Sequence, residues 1–168
     1  MKTRDRILHT SLLLFNEEGE ADQSAVDIAN ALEISPGNLY YHFKGKDAII
    51  HALFDNFEEE MMVILRGSRG QITSIDDNWV YTYILLEEIY DFRFLYRNLG
   101  VLLDLNPNLA RRFRSLLAEK RSAISDLVEN LGAGGAIQIE PALSDALIDQ
   151  MLQTLTFWLS FDQIEGAD

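Results

Sequence analysis

The sequence predicts an all-α protein, with three short helices at the N-terminus and a larger helical region behind them. Apolar residues recur at three- and four-residue spacing through most of the 168 residues, which is the period of an amphipathic helix. Ser, Asn, Pro and Gly stand where these segments begin and end, as helix caps and stops do. Alternating patterns typical of strands are short or absent, and residues 136–139 are too few to support a sheet.

The composition is that of an ordinary globular protein, with 48% apolar and 24% charged residues. The chain has no Cys, which excludes disulfides and thiolate chemistry and fits a reducing compartment. The polar N-terminus from Lys2 to Arg6 has no apolar signal-peptide core behind it. No apolar run approaches the roughly 20 residues that cross a bilayer. We therefore expect a cytoplasmic protein without a membrane partner.

The net charge of −13 is unevenly distributed along the chain. Residues 1–50 carry a net charge of −3, and the remainder carries −10. The basic residues of the first part stand at its two ends, which leaves room for a local positive patch. The field of the whole protein repels nucleic acid, so any such binding is expected to be weak without specificity and sensitive to salt.

The first two helices follow from periodicity and caps. The first is predicted over residues 3–18, with Gly19 at the expected stop. Ser24 and Asp27 form an approximate capping box that opens the second helix. The residues predicted to face inward are Ile7, Ser11, Leu14 and Phe15 in the first helix, and Ile28 and Leu32 in the second.

The stretch 35–46, SPGNLYYHFKGK, predicts a short third helix. Ser35 is a good N-cap, and Pro36 fits the first helical position, where no N–H is needed. Leu39 and Phe43 are four residues apart and would pack into a core. Hydrogen-bonding residues are gathered on the other side, close to a helix N-terminus that favours anions.

Together with the two preceding helices, this stretch resembles the DNA-binding domain of the TetR family of bacterial transcriptional regulators. An isolated GN or YYH would be a weak signal, whereas an ordered set over about the first third of the chain is a strong one. The matching residues, at the family's spacing, are Arg6, Ile7, Leu8, Leu14, Phe15, Gly19, Ser24, Ile28, Ala29, Leu32, Ile34, Ser35, Pro36, Gly37, Asn38, Leu39, Tyr40, Tyr41, His42, Phe43, Lys46 and Ile49.

The resemblance implies two domains. Residues 1–46 would form a helix-turn-helix DNA-binding domain, and residues 47–168 a helical effector-binding and dimerisation domain, joined by a connecting helix over 47–66. Small residues at the start of a recognition helix let the backbone approach the groove, and donors on either side clamp phosphates. The candidate DNA-binding residues are Ser24, Ser35, Pro36, Gly37, Asn38, Tyr40, Tyr41, His42 and Lys46. The alternative is that the aromatic pair simply belongs to the core of a small helical domain.

Two residues depart from the family pattern. Glu33 stands where relatives usually have Gly, and a positive φ at that turn would cost about 1 kcal/mol for a residue with a Cβ. Val26 occupies a second-helix position that is often polar in relatives, so a DNA contact is expected to be lost there.

The remaining helices are predicted from breakers and apolar stripes. Residues 66–70 form a breaker cluster and the expected domain boundary. A helical region over 75–105, broken near Asp91, is followed by a helix over 107–131 that Asn106 caps and by a last helix over 141–161. The predicted apolar faces are Ile50, Phe54, Phe57, Met61 and Ile64 in the connecting helix, and Leu143, Leu147, Met151, Leu155 and Trp158 in the last.

An aromatic run in the second domain suggests an effector site, because members of the family hold effectors between helices there. Glu87 or Asp91 could pair with a cationic effector. The alternative is that aromatic residues at helical spacing belong to the core and that the carboxylates form a solvated edge. The candidate ligand-binding residues, near one helical face, are Trp79, Tyr83, Leu86, Tyr90 and Phe94.

Nothing in the sequence indicates catalysis, a cofactor or a metal. His51 and Asp55 are four residues apart on one helix, but no further ligand follows at a recognisable spacing. The chain has no Gly-rich phosphate loop, no GxSxG and no HExxH. We therefore expect no enzyme.

The resemblance implies a homodimer, with the helices over 107–131 and 141–161 forming a four-helix bundle across a two-fold axis. Because the chain ends soon after Phe161, earlier than in many relatives, we expect a final dimer helix to be absent or replaced in role. The predicted function is a repressor released from a palindromic operator by a small molecule. The alternatives are a regulator that responds to a protein, and a helical interaction module that has lost DNA binding.

Overall fold

The structure is a computed structural model that describes residues 1–67, 72 and 74–166, and within those residues it contains α-helices and no strand. The predicted all-α class is confirmed. Most of the breaker cluster predicted at 66–70 lies outside the described residues. The helices are α1 (Thr3–Glu18), α2 (Ala25–Ala31), α3 (Pro36–His42), α4 (Lys46–Gly67), α5 (Ile75–Asp91), α6 (Arg93–Arg97), α7 (Leu99–Leu105), α8 (Pro107–Ala133) and α9 (Pro141–Glu165).

The caps of α2 and α3 form as the sequence predicts. Ser24 Oγ accepts from the backbone N of Asp27, and the Asp27 carboxylate accepts from the backbone N of Ser24. Ser35 Oγ accepts from the backbone N of Asn38, with Pro36 at the first helical position. The predicted inward residues of α1 and α2 are buried, except that Leu14 is only partly buried at the edge of the core.

The turn between α2 and α3 gives Glu33 a φ of +56°, and it is the only positive φ outside glycine in the part of the chain that is described. The backbone N of Ile34 donates to Ala29 O, and that of Glu33 donates to Asn30 O. These two bonds are the Schellman motif, which closes a helix around a left-handed residue and is usually formed by Gly. The expectation of a strained Glu at this turn is therefore confirmed.

Helix α4 connects the first three helices to the rest of the chain. Its 22 residues span about 33 Å at 1.5 Å per residue. Ile50, Phe54, Phe57 and Met61 are buried as predicted, whereas Ile64 is only partly buried. The Arg112 guanidinium of α8 lies over the Phe54 ring and pairs with two α4 carboxylates, those of Asp55 at 2.7 Å and Glu58 at 2.6 Å.

The break predicted near Asp91 lies at Phe92, whose backbone leaves the helical region between α5 and α6. The side chain of Asn16 in α1 binds this break from both sides. Its Nδ2 donates to Asp91 O at 2.7 Å, and its Oδ1 accepts from the backbone N of Phe94 at 3.0 Å. A buried amide thus holds α1 against the start of α6.

Two expectations for the last helices need correction. Asn106 does precede Pro107 at the start of α8, but its side chain makes no cap and instead donates to Leu102 O in α7. The predicted apolar face of α9 is not a buried stripe, because Leu143 is 56% exposed and the other four residues are only partly buried. The residues of α9 that are buried are Ile148, Thr156 and Leu159. No helix among the described residues is long and apolar enough to cross a membrane.

Candidate nucleic-acid interface and ligand cavity

Helix α3 divides into a buried side and an exposed side. Leu39 is fully buried and Phe43 is 5% exposed, so these two residues attach the helix to the core. On the other side Tyr41 is 80% exposed and Tyr40 is 44% exposed. The predicted alternative, in which the aromatic pair belongs to the core, does not fit these exposures. The core role falls to Leu39 and Phe43.

The start of α3 is small and open to solvent. Pro36, Gly37 and Asn38 are all exposed. A Cβ added at Gly37 would meet nothing nearer than Ser35 Oγ at 4.0 Å, so packing within the protein does not require glycine there. The absence of a side chain instead leaves the backbone free for a close approach from outside, as a groove requires.

Three of the predicted phosphate-binding residues already have partners. Lys46 Nζ forms an ion pair with Glu20 Oε1 at 2.9 Å and donates to Glu20 O at 3.0 Å. The Ser24 hydroxyl is engaged by Asp27 in the capping box, whose hydrogen bonds lower the pKa of the Asp27 carboxyl. The His42 ring meets the edge of Tyr41, with centroids 5.1 Å apart. Phosphate contacts by Ser24, His42 and Lys46 therefore remain predictions and, for Lys46, imply exchange of the Glu20 partner.

The second candidate site is a cavity of about 230 Å³ between α4, α5, α8 and α9. Apolar side chains form most of its wall, and Lys120 is the one charged residue among the described residues that line it. Such a cavity, mostly apolar with a few polar groups, is the usual form of a small-molecule site. Its lining residues are Leu65, Tyr81, Thr82, Leu85, Lys120, Ile124, Leu127, Gln150, Met151, Thr154 and Leu155.

None of the five residues predicted to bind a ligand lines this cavity. Trp79, Tyr83 and Tyr90 are 68%, 59% and 48% exposed, so the predicted face of α5 points outward at these positions. Leu86 is only partly buried, and Phe94 packs on Phe15 of α1 with ring centroids 5.3 Å apart. The spacing selected one side of α5, but periodicity alone does not tell which side faces a neighbour.

The buried cation Lys120 is held by aromatic groups rather than by a carboxylate. It is 1% exposed, and its Nζ donates to the phenolic oxygen of Tyr96 at 2.5 Å. The same Nζ lies 4.9 Å from the centroid of the Tyr96 ring and 5.8 Å from that of Phe57. Burial lowers the pKa of Lys120 to about 7, although the nearby Glu88 carboxyl acts in the opposite sense. Burial likewise raises the pKa of Tyr96.

Glu88 on α5 is a second buried ionisable group, outside the lining of the cavity. It is 8% exposed, and its Oε1 has no hydrogen-bond partner within the described part of the chain. Burial, and then the neighbouring carboxyl of Glu60, raises the pKa of Glu88 to about 8. Burial at this position therefore favours the uncharged form of the Glu88 carboxyl.

Contacts lead from the cavity to α1. Lys120 reaches Tyr96, which lies on α6. The same short helix is bound by α1 through Asn16, whose backbone oxygen also accepts from Arg97 Nη1 at 2.9 Å. These contacts connect the Lys120 side chain to α1 through α6.

No metal centre appears in the described ranges, since they hold no cluster of three or more His, Cys, Asp or Glu side chains. Asp55, one of the two residues considered from the sequence, is instead paired with Arg112. The four-residue spacing of His51 and Asp55 is that of two neighbours on one face of α4.

Sequence reasoning missed Lys120, although a signal for it exists. In α8 the buried residues Phe113, Leu116, Ala123 and Leu127 follow three- and four-residue spacing, and Lys120 stands at the inward position between them. A lone lysine within a buried stripe is unusual, because lysine is almost never fully buried without a partner.

Two family sequence models match the chain and together cover most of it. The one for bacterial regulatory proteins of the tetR family matches residues 7–53. The one for the TetR bacterial transcriptional repressor matches residues 56–168. The first range ends and the second begins within α4, between residues 53 and 56.

Individual proteins agree with the family models. The HTH-type transcriptional regulator UidR of Escherichia coli K12 is 29% identical over 168 residues, spanning 99% of this chain and 83% of UidR. The crystal structure of a TetR-family transcriptional regulator from Marinobacter aquaeolei is 34% identical, with a TM-score of 0.90 over 98% of this chain and 81% of that one. The biofilm operon negative regulator IcaR of Staphylococcus aureus is 24% identical over 133 residues, 70% of this chain and 71% of IcaR.

Proposed function

The chain belongs to the TetR family of bacterial transcriptional regulators, and we propose that it is a dimeric repressor released from a palindromic operator by a small molecule. In this proposal the exposed side of α3 binds DNA, and the cavity between α4, α5, α8 and α9 binds the effector. The observation that carries the DNA-binding part is the division of α3, which has buried apolar anchors on one side and unpacked tyrosines beside a bare helix start on the other.

A dimer is motivated by the reach of the recognition helix. Helix α3 has seven residues and can read few base pairs, whereas two copies about 34–36 Å apart read successive major grooves. Apolar side chains of α9 support a second copy as the partner, since Leu143, Phe157, Phe161 and Ile164 are each more than half exposed. An isologous interface formed by α8 and α9 would cover these side chains in a four-helix bundle.

The proposed release mechanism depends on α4. Its first residue, Lys46, is bound to the α1–α2 connection through Glu20, and Leu65 near its other end lines the cavity. An effector that binds better to a form in which the two recognition helices cannot both reach their grooves lowers operator affinity by the same coupling energy. The presence of a cavity favours this reading over a regulator without a small-molecule effector.

The test is binding of the purified protein to its own upstream DNA at about 50 and 200 mM salt, with random DNA as competitor. The proposal expects sequence-selective binding that weakens with salt, with two copies of the chain on each palindromic site. Replacing both Tyr40 and Lys46 by Ala is expected to reduce the affinity and the salt slope. If selection from random DNA also finds no bound sequence, the chain is a helical interaction module and the proposal is wrong.

A further inference from the structure

Burying Lys120 in a cavity wall costs folding free energy. A lysine normally reaches water with its ammonium, yet this side chain is 1% exposed. Replacing a buried charge by an apolar side chain of similar volume is often neutral or stabilising. Packing therefore gives no reason for a lysine at this position, and the reason is to be sought in what the cavity holds.

The protein satisfies the ammonium only in part. A lysine has three N–H donors, and the described residues supply one hydrogen-bond acceptor, the Tyr96 phenolic oxygen. No carboxylate among the described residues forms an ion pair with Lys120, although Glu88 is close enough to affect its pKa. The remaining donors are left for an acceptor that the chain itself does not provide.

The other residues of the cavity wall indicate that most of the ligand is apolar. Leu65, Leu85, Ile124, Leu127 and Leu155 contribute aliphatic surface, and the other polar lining residues are uncharged. A volume of about 230 Å³ suits a compact molecule. One cationic group can neutralise one negative charge, and a second charge would have to be buried against aliphatic walls at high cost.

From the position of Lys120 in this wall we propose that the effector is a compact apolar monoanion, in class a monocarboxylate, whose charged group pairs with the Lys120 ammonium. The inference rests on the proposed function for the site and adds the chemical class of its ligand. It differs from the sequence-based suggestion of a cationic effector paired with Glu87 or Asp91, whose carboxylates are both exposed and do not line the cavity.

Pairing with a carboxylate would also act on α6. The ammonium now donates to Tyr96 of α6, and a charged acceptor competes for the same group. An anion would thereby weaken the Lys120–Tyr96 bond and disturb α6, which Asn16 joins to α1. A neutral ligand of the same shape would not. Charge recognition and release of DNA would then depend on the same side chain.

The experiment compares carboxylates with their own uncharged amides. Hexanoate, octanoate and 4-phenylbutanoate, each beside its primary amide, are titrated into the full chain by calorimetry at pH 6, where Lys120 with a pKa of about 7 is mostly charged and the ligands are ionised. At least one carboxylate is expected to bind about tenfold or more tightly than its amide, since charge-assisted hydrogen bonds are roughly twice as strong as neutral ones. Lys120→Met is expected to reduce that ratio to about one while the amide binds as before.

Two further variants separate charge from folding. Lys120→Gln keeps a donor for Tyr96 without the charge and is expected to behave as Lys120→Met does. Arg114→Met removes a cation from the exposed side of the same helix and is expected to leave the ratio unchanged. Thermal unfolding of each variant shows whether the fold is retained.

The inference is overturned if no carboxylate exceeds its amide in the unsubstituted chain, if no carboxylate binds, or if the preference survives in both Lys120 variants. Failure of the proposed function has a different signature, because it appears as absence of operator binding or as an operator complex that no cavity ligand weakens. Operator binding by the unsubstituted chain, with and without each ligand, is measured beside the titrations, so the two failures can be told apart.

Discussion

Tyr41 on α3 is 80% exposed, whereas Lys120 at the cavity is 1% exposed. The two candidate sites thus place their principal functional side chains in opposite environments, one in solvent and one in the core. Within the described residues the hydroxyls of Tyr40 and Tyr41 on α3 make no hydrogen bond, so these side chains add little to the stability of the chain. At the cavity the charged residue Lys120 is buried, although Gln150 and Thr154 of the same wall are exposed, and a buried polar group bears on stability as well as on binding. Substitutions should therefore separate affinity from stability at α3 and affect both near the cavity.

The largest expected effect lies in the core behind the cavity. Phe57 is fully buried among Phe54, Phe92 and Tyr96, with ring centroids 5.4 to 6.0 Å away. Phe57→Ala is expected to lower the free energy of unfolding by about 3–5 kcal/mol, measured by urea denaturation at fixed protein concentration. Val63→Ala, at a 68% exposed position of the same helix, is the control and should change it by less than about 0.5 kcal/mol. Equal effects would mean that α4 is not packed as described.

At α3 the comparison predicts the opposite pattern. Tyr41→Ala is expected to leave the free energy of unfolding within about 0.5 kcal/mol and to weaken operator binding by about 100-fold or more. The reason is that each of the two copies loses a hydrogen bond to a charged phosphate, worth about 1.5 kcal/mol or more.

The matched control for this variant is Tyr83→Ala on the exposed side of α5, which should change neither quantity. Affinity is measured by fluorescence anisotropy of labelled operator at constant salt. A stability loss equal to the affinity loss would place Tyr41 in the fold and not at the interface.

The buried carboxyl of Glu88 should make stability depend on pH. Its pKa is raised to about 8 in the folded protein, so between pH 4.5 and 8 the native state holds a proton that the unfolded state has lost. Stability contributed at this site therefore falls as pH rises through that range, with a slope of up to about 1.4 kcal/mol per pH unit.

Glu88→Gln is expected to remove this pH dependence. Its free energy of unfolding should exceed that of the unsubstituted chain by the largest amount near pH 8. Urea denaturation at pH 5, 6.5 and 8 measures it, beside Glu59→Gln at an exposed neighbouring position. Parallel pH profiles for the two variants would show that Glu88 titrates normally.

The smallest predicted effect concerns the turn between α2 and α3. Glu33 adopts a φ of +56°, which costs a residue with a Cβ about 1 kcal/mol. Glu33→Gly is expected to raise the free energy of unfolding by about that amount or slightly less, because Gly loses more entropy on folding. Glu33→Ala removes the charge but keeps the Cβ, so thermal unfolding should show no comparable gain. A gain by both variants would assign the effect to charge.

The α3 region could be predicted from the sequence because its determinants are local. Ser35, Pro36 and Asn38 define the helix start within four residues, and Leu39 with Phe43 defines the buried side. Even the strained Glu33 could be predicted, because the turn requires a positive φ at that one position and Glu stands where relatives usually have Gly. Domain boundaries and DNA contacts remain predictions.

The cavity could not be predicted in the same way because four helices form it. Its wall combines residues as far apart as Leu65 and Leu155, and their meeting depends on how α4, α5, α8 and α9 are rotated about their axes. Periodicity identifies an apolar stripe along a helix but not the neighbouring helix that it contacts. The sequence therefore predicts Trp79 and Tyr83 as ligand-binding residues, whereas both side chains are exposed. The charged residue of the wall, Lys120, is visible only as an exception within a buried stripe.

If the state of the cavity controls the DNA-binding helices, then filling the cavity with a side chain, in the absence of any ligand, should weaken operator binding. Thr154→Phe adds a ring at a position of α9 that lines the cavity, and Gln153→Phe adds the same ring at the adjacent position, which is also exposed but does not line it. Operator affinity is measured for both, with the fold verified by thermal unfolding. We expect Thr154→Phe to bind at least about fivefold more weakly, as coupling energies of 1–3 kcal/mol imply, and Gln153→Phe to bind normally. Equal operator affinity for a folded Thr154→Phe and the unsubstituted chain would contradict the claim.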